Sequence, residues 1–284
     1  MPDLEVLSIE RHGHVATVWL DRPEARNAMG PAFWEDLTAA MTDVSLDTDV
    51  RAVVVAARGP HFSVGLDLKA MAGLLTGGDH GGGGERAKGE GPPSMAVRAV
   101  AARAGVKRLQ RSINAVADCP KPVIAAIHGY CIGGGVDLTS ACDIRLASAD
   151  AVFSVRETKV AIVADLGSLQ RLPHIIGKGH VAELAYTGKD ITAARAKEIG
   201  LVNDVFPDAD AVAAAALAMA EEIAANSPLA VEGTKAVLTA GQDQSVAEGL
   251  DYVATWNAGV LQSEDLVEAM AAFMAKRPPE FRGR

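Results

Sequence analysis

The chain has 284 residues, of which 49% are hydrophobic, so it is long and apolar enough to bury a large core. Its formal net charge of −9, with no basic stripe to offset it, argues against a nucleic-acid partner. Residues 1–5 show no secretion signal, no run is apolar enough to span a membrane, and three cysteines lack metal-type spacing. We therefore expect a soluble cytoplasmic protein.

The first half of the chain alternates strand and helix patterns. The expected elements are strands at 4–10, 14–20 and 51–57 and a helix at 31–41. An apolar run, a glycine turn and a helical pattern then recur within 122–140. This alternation predicts an α/β fold with crossover connections.

Residues 73–93 differ in composition from the rest of the chain. They are rich in glycine and cannot bury enough apolar surface to order themselves, which predicts a flexible surface insertion. No Lys-Ser or Lys-Thr pair follows the glycines, so a phosphate-binding loop is not indicated.

The second half of the chain is predicted to be mostly helical. Helices are expected at 94–116, 169–176, 179–186, 193–199, 209–225, 228–240, 245–259 and 263–275. The last four carry small or apolar residues on more than one face, which favours packing against a partner subunit. We divide the chain into a core of residues 1–205 and a helical region of residues 206–284 involved in oligomerisation. The basic tail at 276–284 is interpreted as a frayed terminus.

Three acidic residues in apolar surroundings are candidates for chemistry. Asp137 follows the glycine turn 133–135, and Glu157 and Asp165 lie among Val, Ala, Ile and Leu. Carboxylates in such surroundings are costly unless they are paired or have shifted pKa values. Structural alternatives stay open: a first-turn helix carboxylate for Asp137, surface pairing with Arg156 or Lys159 for Glu157, and a helix N-cap for Asp165.

The stretch 127–145 resembles the enoyl-CoA hydratase/isomerase (crotonase) family. The shared features are the glycine turn, a carboxylate three residues after its middle glycine, and Cys142-Asp143-Ile144-Arg145. Further similar segments are 23–28, 62–68, 169–173, 176–177 and 196–202, so that only the glycine-rich insertion falls outside the resemblance. The resemblance implies the α/β crotonase spiral of ββα units, with a helical C-terminal region that forms a homotrimer or a homohexamer.

One branch of that family fits these residues best. Hydratases of the family usually carry Glu at both carboxylate positions, whereas this chain has Asp137 and Glu157. It also has Asp165 where hydratases usually have a small residue. The Asp/Glu/Asp set, together with residues 251–257, resembles the branch that converts 3,5-dienoyl-CoA into 2,4-dienoyl-CoA in fatty acid β-oxidation.

The resemblance implies a role for each site residue. The backbone N–H groups of Leu66 and Gly134 would form an oxyanion hole for the thioester enolate. Glu157 would exchange the proton at carbon 2 and Asp165 the proton at carbon 6, although the swapped assignment stays open. Asp137 would keep the proton affinity of Glu157 high.

The resemblance also implies contacts for coenzyme A. They are assigned to Ala25, Arg26, the carbonyl of Val64, Lys69 and, toward a neighbouring subunit, Phe281. The CoA thioester is the substrate, so neither a cofactor nor a metal is expected. Asp67 and Asp143 are interpreted as structural, and His61 and His128 as loop positions.

Two other functions stay open. One is an enoyl-CoA hydratase, in which Asp137 and Glu157 would hold a water molecule. The other is a non-catalytic acyl-CoA-binding member of the fold.

Overall fold

The computed structural model of the protein describes residues 2–73 and 94–284. The predicted flexible insertion therefore lies, apart from Gly73, outside the described residues. The strands are β1 Leu7–His12, β2 Val15–Leu20, β3 Ala52–Ala57, β4 Val123–Ile127, β5 Tyr130–Ile132, β6 Ile144–Ser148, β7 Val152–Ser154, β8 Ile191–Thr192 and β9 Asp204–Phe206. The helices are α1 Pro31–Leu46, α2 Met95–Ala117, α3 Gly134–Ser140, α4 Ser168–Ile175, α5 Lys178–Thr187, α6 Ala193–Glu198, α7 Ala209–Ala224, α8 Pro228–Ala240, α9 Val246–Val260 and α10 Glu264–Ala275.

A six-stranded sheet forms the centre of the fold, in the order β1-β2-β3-β4-β6-β9. β1 and β2 form the predicted hairpin and pair antiparallel, and every later pairing in this sheet is parallel. Parallel neighbours require crossover connections, and here these are supplied mainly by helices. All six residues of β3 are buried, as expected for a strand covered on both faces.

Alternate residues of the central strands face two different cores. Val53 and Val55 pack on the side of α1 and α2. Val54 and Ala56 pack on the opposite side, against small residues of α7 such as Ala216. Since side chains alternate along a strand, one apolar run supplies both layers.

A second, three-stranded sheet in the order β5-β7-β8 adjoins the glycine turn. The sequence analysis placed no strand between the apolar run and the glycine turn 133–135, which is an error. Tyr130, Cys131 and Ile132 form β5, which pairs in parallel with β7. A strand of three residues is too short to show a periodic pattern, which explains the error.

The C-terminal tail is fixed in place, so its interpretation as a frayed terminus is wrong. The buried Asp265 carboxylate accepts the N–H of Arg282 at 2.7 Å and that of Gly283 at 3.1 Å. The Arg51 guanidinium donates to the Phe281 carbonyl at 2.8 Å. Sequence composition made the tail look solvated because these partners lie far away in the chain.

The helical C-terminal region begins with α7, which covers one face of the central sheet. A domain division after residue 205 stays a prediction. Within the two described stretches of the chain, no helix is both long and apolar enough to cross a membrane.

Candidate active site

Backbone hydrogen bonds join the loop after β3 to β5. Ser63 N–H donates to the Tyr130 carbonyl at 2.8 Å, and the Ser63 carbonyl accepts the Ile132 N–H at 3.0 Å. The Ser63 hydroxyl donates to the Asn27 carbonyl at 2.7 Å and accepts the Gly65 N–H at 3.1 Å. This loop and the strand before the glycine turn are therefore held as one unit.

Glycine is required where the loop meets the glycine turn. Gly65 has φ +83°, and a Cβ there would lie 2.7 Å from the Ile132 carbonyl oxygen and 3.3 Å from the Gly134 nitrogen. The first distance is impossible for a real side chain, and the φ value favours glycine. Because Gly65 has no side chain, the backbone at Gly65 and Leu66 can approach the Gly134 nitrogen closely.

The two N–H groups assigned to the oxyanion hole are free to bind a ligand. Leu66 N–H and Gly134 N–H donate to no acceptor within residues 2–73 and 94–284. The neighbouring amides are used instead, since Asp67 N–H donates to Met29 and Gly133 N–H to Ser154. Two unbonded N–H groups whose neighbouring amides are held by hydrogen bonds are well suited to stabilise a negative charge that develops on a ligand.

The far end of α3 is anchored by a buried arginine. The Arg145 guanidinium donates to the carbonyls of Cys142 at 2.5 Å, Leu201 at 2.9 Å and Thr139 at 3.4 Å. These bonds tie the residues at the C-terminus of α3 to Leu201, which follows α6. They also fix the helix whose first residue is Gly134.

Asp137 is buried within α3. Its Oδ1 accepts the backbone N–H of Ser168, the first residue of α4, at 2.7 Å. Burial raises the pKa of Asp137 to about 6, the Ser168 N–H opposes this rise, and the charge of Asp165 adds to it. Asp137 lies in the first turn of α3, but its carboxylate is committed to α4.

Glu157 begins a short 3-10 helix, Glu157–Val160. Its Oε2 is buried without a hydrogen-bond partner in the described part of the chain. Burial, followed by the charge of Asp137, raises the pKa of Glu157 to about 7. Surface pairing of Glu157 with Arg156 or Lys159 is wrong, because Arg156 pairs with Asp190 and no ion pair joins Glu157 to Lys159 in the described part of the chain. A Cβ on Gly133 would lie 3.2 Å from Glu157 Oε1, so this carboxylate adjoins the glycine turn.

Asp165 lies half-buried in the loop before α4. Burial raises its pKa, and its own charge raises the pKa of both Asp137 and Glu157. The N-cap alternative is wrong, since α4 is preceded by Gly167 without a side-chain cap. The structure thus brings the three predicted carboxylates into one electrostatically coupled cluster.

Four residues assigned to CoA lie in or beside the loop that carries Leu66. Ala25 ends the 3-10 helix Pro23–Ala25, and Arg26 follows it with a left-handed backbone, φ 53°. Val64 N–H donates to the Arg26 carbonyl at 3.2 Å. Lys69 is exposed three residues after Leu66.

Phe281 does not join the other CoA-assigned residues within one chain. It is bound to Arg51, which immediately precedes β3, whereas Val64 follows that strand. The two therefore lie toward opposite ends of the central sheet. The predicted contact of Phe281 with a neighbouring subunit's CoA stays a prediction.

The residues interpreted as structural have structural partners. Asp143 Oδ2 accepts the Val123 N–H and the Lys235 ammonium, both at 2.7 Å. Asp67 pairs with Arg22 at 3.2 Å.

Both histidines serve loops, as predicted. His128 Nε2 donates to the Gly59 carbonyl at 2.8 Å. His61 Nδ1 accepts the Tyr130 N–H at 3.3 Å, and the two rings contact each other.

Asn27 has a structural role that the sequence analysis missed. Its backbone is left-handed with φ 52°, and its amide donates to the carbonyls of Arg58 at 2.9 Å and His61 at 2.8 Å. Asn tolerates this backbone better than most residues. The signal available in the sequence was a polar residue that tolerates a left-handed backbone, four residues after Pro23.

A separate cleft lies between α1 and α2. Its volume is about 1270 Å³, and it is lined by residues such as Trp34, Met71 and Leu109. None of the three carboxylates lines this cleft. The candidate site is therefore identified by the three carboxylates and the two unbonded backbone N–H groups, and not by the cleft. The ranges 2–73 and 94–284 also hold no cluster of His, Cys, Asp and Glu suited to a metal ion.

The chain belongs to the enoyl-CoA hydratase/isomerase family, which it matches over residues 10–81 and 95–284. An enoyl-CoA hydratase structure from Bacillus anthracis superposes with a TM-score of 0.85 at 33% identity, covering 99% of this chain and 100% of that one. The crotonase fold expected from the resemblance is confirmed, and the protein is a member of an enzyme family.

Relatives that bear the name Delta(3,5)-Delta(2,4)-dienoyl-CoA isomerase include one from an animal and one from a plant. The mitochondrial protein of Rattus norvegicus is 44% identical over 96% of this chain and 80% of its own length. The peroxisomal protein of Arabidopsis thaliana is 42% identical over 98% of this chain and 96% of its own length. These locations overturn the expectation of a cytoplasmic protein. That expectation rested on the lack of a visible targeting signal, which does not define a compartment.

Proposed function

We propose that the protein isomerises 3,5-dienoyl-CoA to 2,4-dienoyl-CoA in fatty acid β-oxidation. The observation that carries this proposal is the placement of Asp165 in one cluster with Asp137 and Glu157, beside two free backbone N–H groups. The similarity to two relatives named as dienoyl-CoA isomerases supports it.

In this proposal the thioester oxygen is bound by Leu66 N–H and Gly134 N–H. Removal of a proton from carbon 2 places negative charge on that oxygen and along the conjugated diene. The donors are fixed before the reaction, because the Ser63 and Gly65 bonds hold the loop that carries Leu66 and Gly134 is the first residue of α3. A donor of this kind typically contributes about 10²–10³ in rate.

The protons are moved by two different carboxylates. Glu157 takes the proton from carbon 2, since a pKa near 7 lets it both accept and return a proton at neutral pH. Asp165 delivers a proton to carbon 6, at the far end of the dienolate. The double bonds thereby shift from positions 3 and 5 to positions 2 and 4, and proton uptake balances proton loss. Asp137 keeps the proton affinity of Glu157 high through its charge.

Coenzyme A is proposed to lie along Ala25, Arg26, the Val64 carbonyl and Lys69. Asn27 joins the two loops that carry these residues by donating to the Arg58 and His61 carbonyls, so the loops are fixed before the ligand arrives. The reaction needs only proton transfer, and we therefore propose that it uses neither a cofactor nor a metal.

We propose that the protein assembles as a homotrimer or homohexamer. Val267, Met270, Phe273 and Met274 of α10 are between 63% and 80% exposed. Their spacing places them on one side of the helix. A continuous apolar stripe of this kind suits burial against a second copy of the chain.

Hydration of a 2-enoyl-CoA is the second candidate function. It is favoured by the similarity to the hydratase structure and by the pairing of Asp137 with Glu157, which would have to hold a water molecule. However, the Asp137 oxygen bound to Ser168 N–H has less capacity left for that water. A hydratase also leaves Asp165 without a task.

The test is to incubate the protein separately with a 3,5-dienoyl-CoA and a 2-enoyl-CoA and to follow both spectra. We expect the conjugation shift of the diene and little hydration of the enoyl substrate. Hydration without isomerisation would establish the second function. Binding of both thioesters without turnover would identify a non-catalytic acyl-CoA-binding protein.

A further inference from the structure

The loop that carries Asp165 has few backbone hydrogen bonds of its own. Ile162 N–H donates to the Glu157 carbonyl at 3.0 Å. The N–H groups of residues 163–167 donate to no other residue in the described part of the chain. Ala164 and Leu166 are buried, but apolar packing alone does not fix the direction of the Asp165 side chain.

Two side chains of α2 provide the missing polar anchors. The Gln110 amide donates to the Asp165 backbone carbonyl at 2.6 Å. Asn114, one helical turn later, accepts from the Arg171 guanidinium at 2.6 Å. Residues four positions apart lie on the same face of a helix, so both anchors act from one side of α2.

Arg171 connects the second anchor to the same loop. Its guanidinium also approaches the Leu166 carbonyl at 3.4 Å. A Cβ on Gly167 would lie 1.9 Å from Arg171 Nη1, and Gly167 has φ +125°. Glycine at this position therefore leaves the space that the guanidinium occupies.

We propose that Gln110 is a positioning residue that orients Asp165 for proton delivery, with Asn114 and Arg171 bracing the same loop. The inference rests on the proposed isomerase function. Gln110 contacts a backbone carbonyl and not the reacting atoms, so it acts through Asp165. Its loss should displace Asp165 relative to carbon 6 and leave Glu157, which lies on the separate 3-10 helix Glu157–Val160, unaffected.

The experiment replaces the donor while keeping the side-chain length, as Gln110→Met. Isomerisation of a 3,5-dienoyl-CoA is measured in D₂O together with deuterium uptake at each carbon of the recovered substrate and product. We expect kcat to fall about 10- to 100-fold with little change in KM, the size expected for a catalytic group displaced by about 1 Å. Deuterium uptake should slow only at the carbon affected by Asp165→Asn, the reference variant.

Arg111→Gln is the matched control, because Arg111 is exposed on α2 and has no partner among residues 2–73 and 94–284. It should retain wild-type kcat. Thermal unfolding of Gln110→Met should match the wild type, which separates positioning from a loss of stability.

A wild-type kcat in Gln110→Met would overturn the positioning role while leaving the isomerase function intact. Equal slowing of deuterium uptake at both carbons would also overturn it, since the defect would not be specific to Asp165. Failure of the wild-type protein to isomerise the diene would overturn the proposed function itself.

Discussion

The Asp137 carboxylate accepts the Ser168 backbone N–H at 2.7 Å and so ties α3 to the start of α4. The same bond opposes the rise in the pKa of Asp137 that burial causes. One carboxylate of the cluster is thereby fixed in place as a charge beside Glu157. In the proposed mechanism Asp137 acts through its charge, whereas Glu157 and Asp165 transfer protons. This difference leads to predictions about the pH dependence of activity.

The activity of the wild-type protein should rise with pH as Glu157 deprotonates and fall again as Asp165 loses the proton that it delivers to carbon 6. Glu157 must be deprotonated to accept the carbon 2 proton, and burial together with Asp137 raises its pKa to about 7. The measurement is kcat/KM for a 3,5-dienoyl-CoA between pH 5 and pH 9, which reports groups of the free enzyme. A flat profile across pH 6–8 would remove Glu157 as the base.

Asp137→Asn should shift this rise to lower pH. The substitution removes the negative charge that raises the pKa of Glu157, while the Asn oxygen can still accept the Ser168 N–H. The midpoint of the kcat/KM profile is the observable. Asp210→Asn, exposed on α7, is the control and should leave the midpoint unchanged. An upward shift in Asp137→Asn would contradict the assigned electrostatic role.

Glu157→Gln should stabilise the folded protein at pH 8 more than at pH 5. The pKa of Glu157 is about 7 in the folded state and about 4.3 when unfolded, so the native state binds more protons between these values. Wild-type stability therefore falls as pH rises through this window, and the Gln variant lacks that loss. Urea unfolding at both pH values should show a difference on the order of 2–3 kcal/mol.

Glu222→Gln is the control for that measurement, since Glu222 is exposed on α7. Its free energy of unfolding should follow the wild type at both pH values. Destabilisation of Glu157→Gln at pH 8 would show that the Glu157 carboxylate has a stabilising partner, contrary to its unpaired Oε2.

Gly65→Ala should lower kcat by about 10²–10³, comparable to the loss of one oxyanion-hole donor. A Cβ at Gly65 would lie 2.7 Å from the Ile132 carbonyl, so the backbone carrying Leu66 N–H must move. Steady-state kinetics on the diene substrate measure the effect.

Gly179→Ala is the matched glycine control. A Cβ there meets nothing within 4 Å, and the residue lies in α5. It should keep full activity and gain up to about 1 kcal/mol in stability. Normal kcat in Gly65→Ala would argue against the assignment of Leu66 N–H to the oxyanion hole.

Phe273→Glu should dissociate the proposed oligomer. Phe273 is 80% exposed in the apolar stripe on α10, and a carboxylate there would be buried without a partner at the proposed subunit interface. Sedimentation velocity gives the mass. Leu46→Glu alters an equally exposed apolar residue at the end of α1 and should leave the mass unchanged. A monomeric wild-type protein would refute the assembly itself.

Much of the fold was predictable because its helices and central strands have clear periodic patterns. The apolar run of β3 and the Pro start of α1 were visible in the sequence. The three acidic residues were found because carboxylates in apolar segments are unusual. Their convergence could not be derived from spacing, since Glu157 and Asp165 lie on a 3-10 helix and a loop.

Other features left no local signal. β5 and β7 are three residues each and gain their stability from pairing across the chain. Gln110 is a polar residue in a helix with many others, and only its contact with a carbonyl 55 residues away distinguishes it. The tail was misjudged for the same reason, because Asp265 and Arg51 bind it from distant positions.

The bracing of residues 26 and 27 has a consequence for ligand association. The Asn27 side-chain amide already donates to the carbonyls of Arg58 and His61, and the Arg26 carbonyl already accepts the Val64 N–H. If coenzyme A binds along this loop as proposed, it contacts a backbone that is already ordered and loses little conformational entropy. Encounter with the thioester should therefore proceed in a single kinetic phase, without a slow rearrangement of this loop after docking.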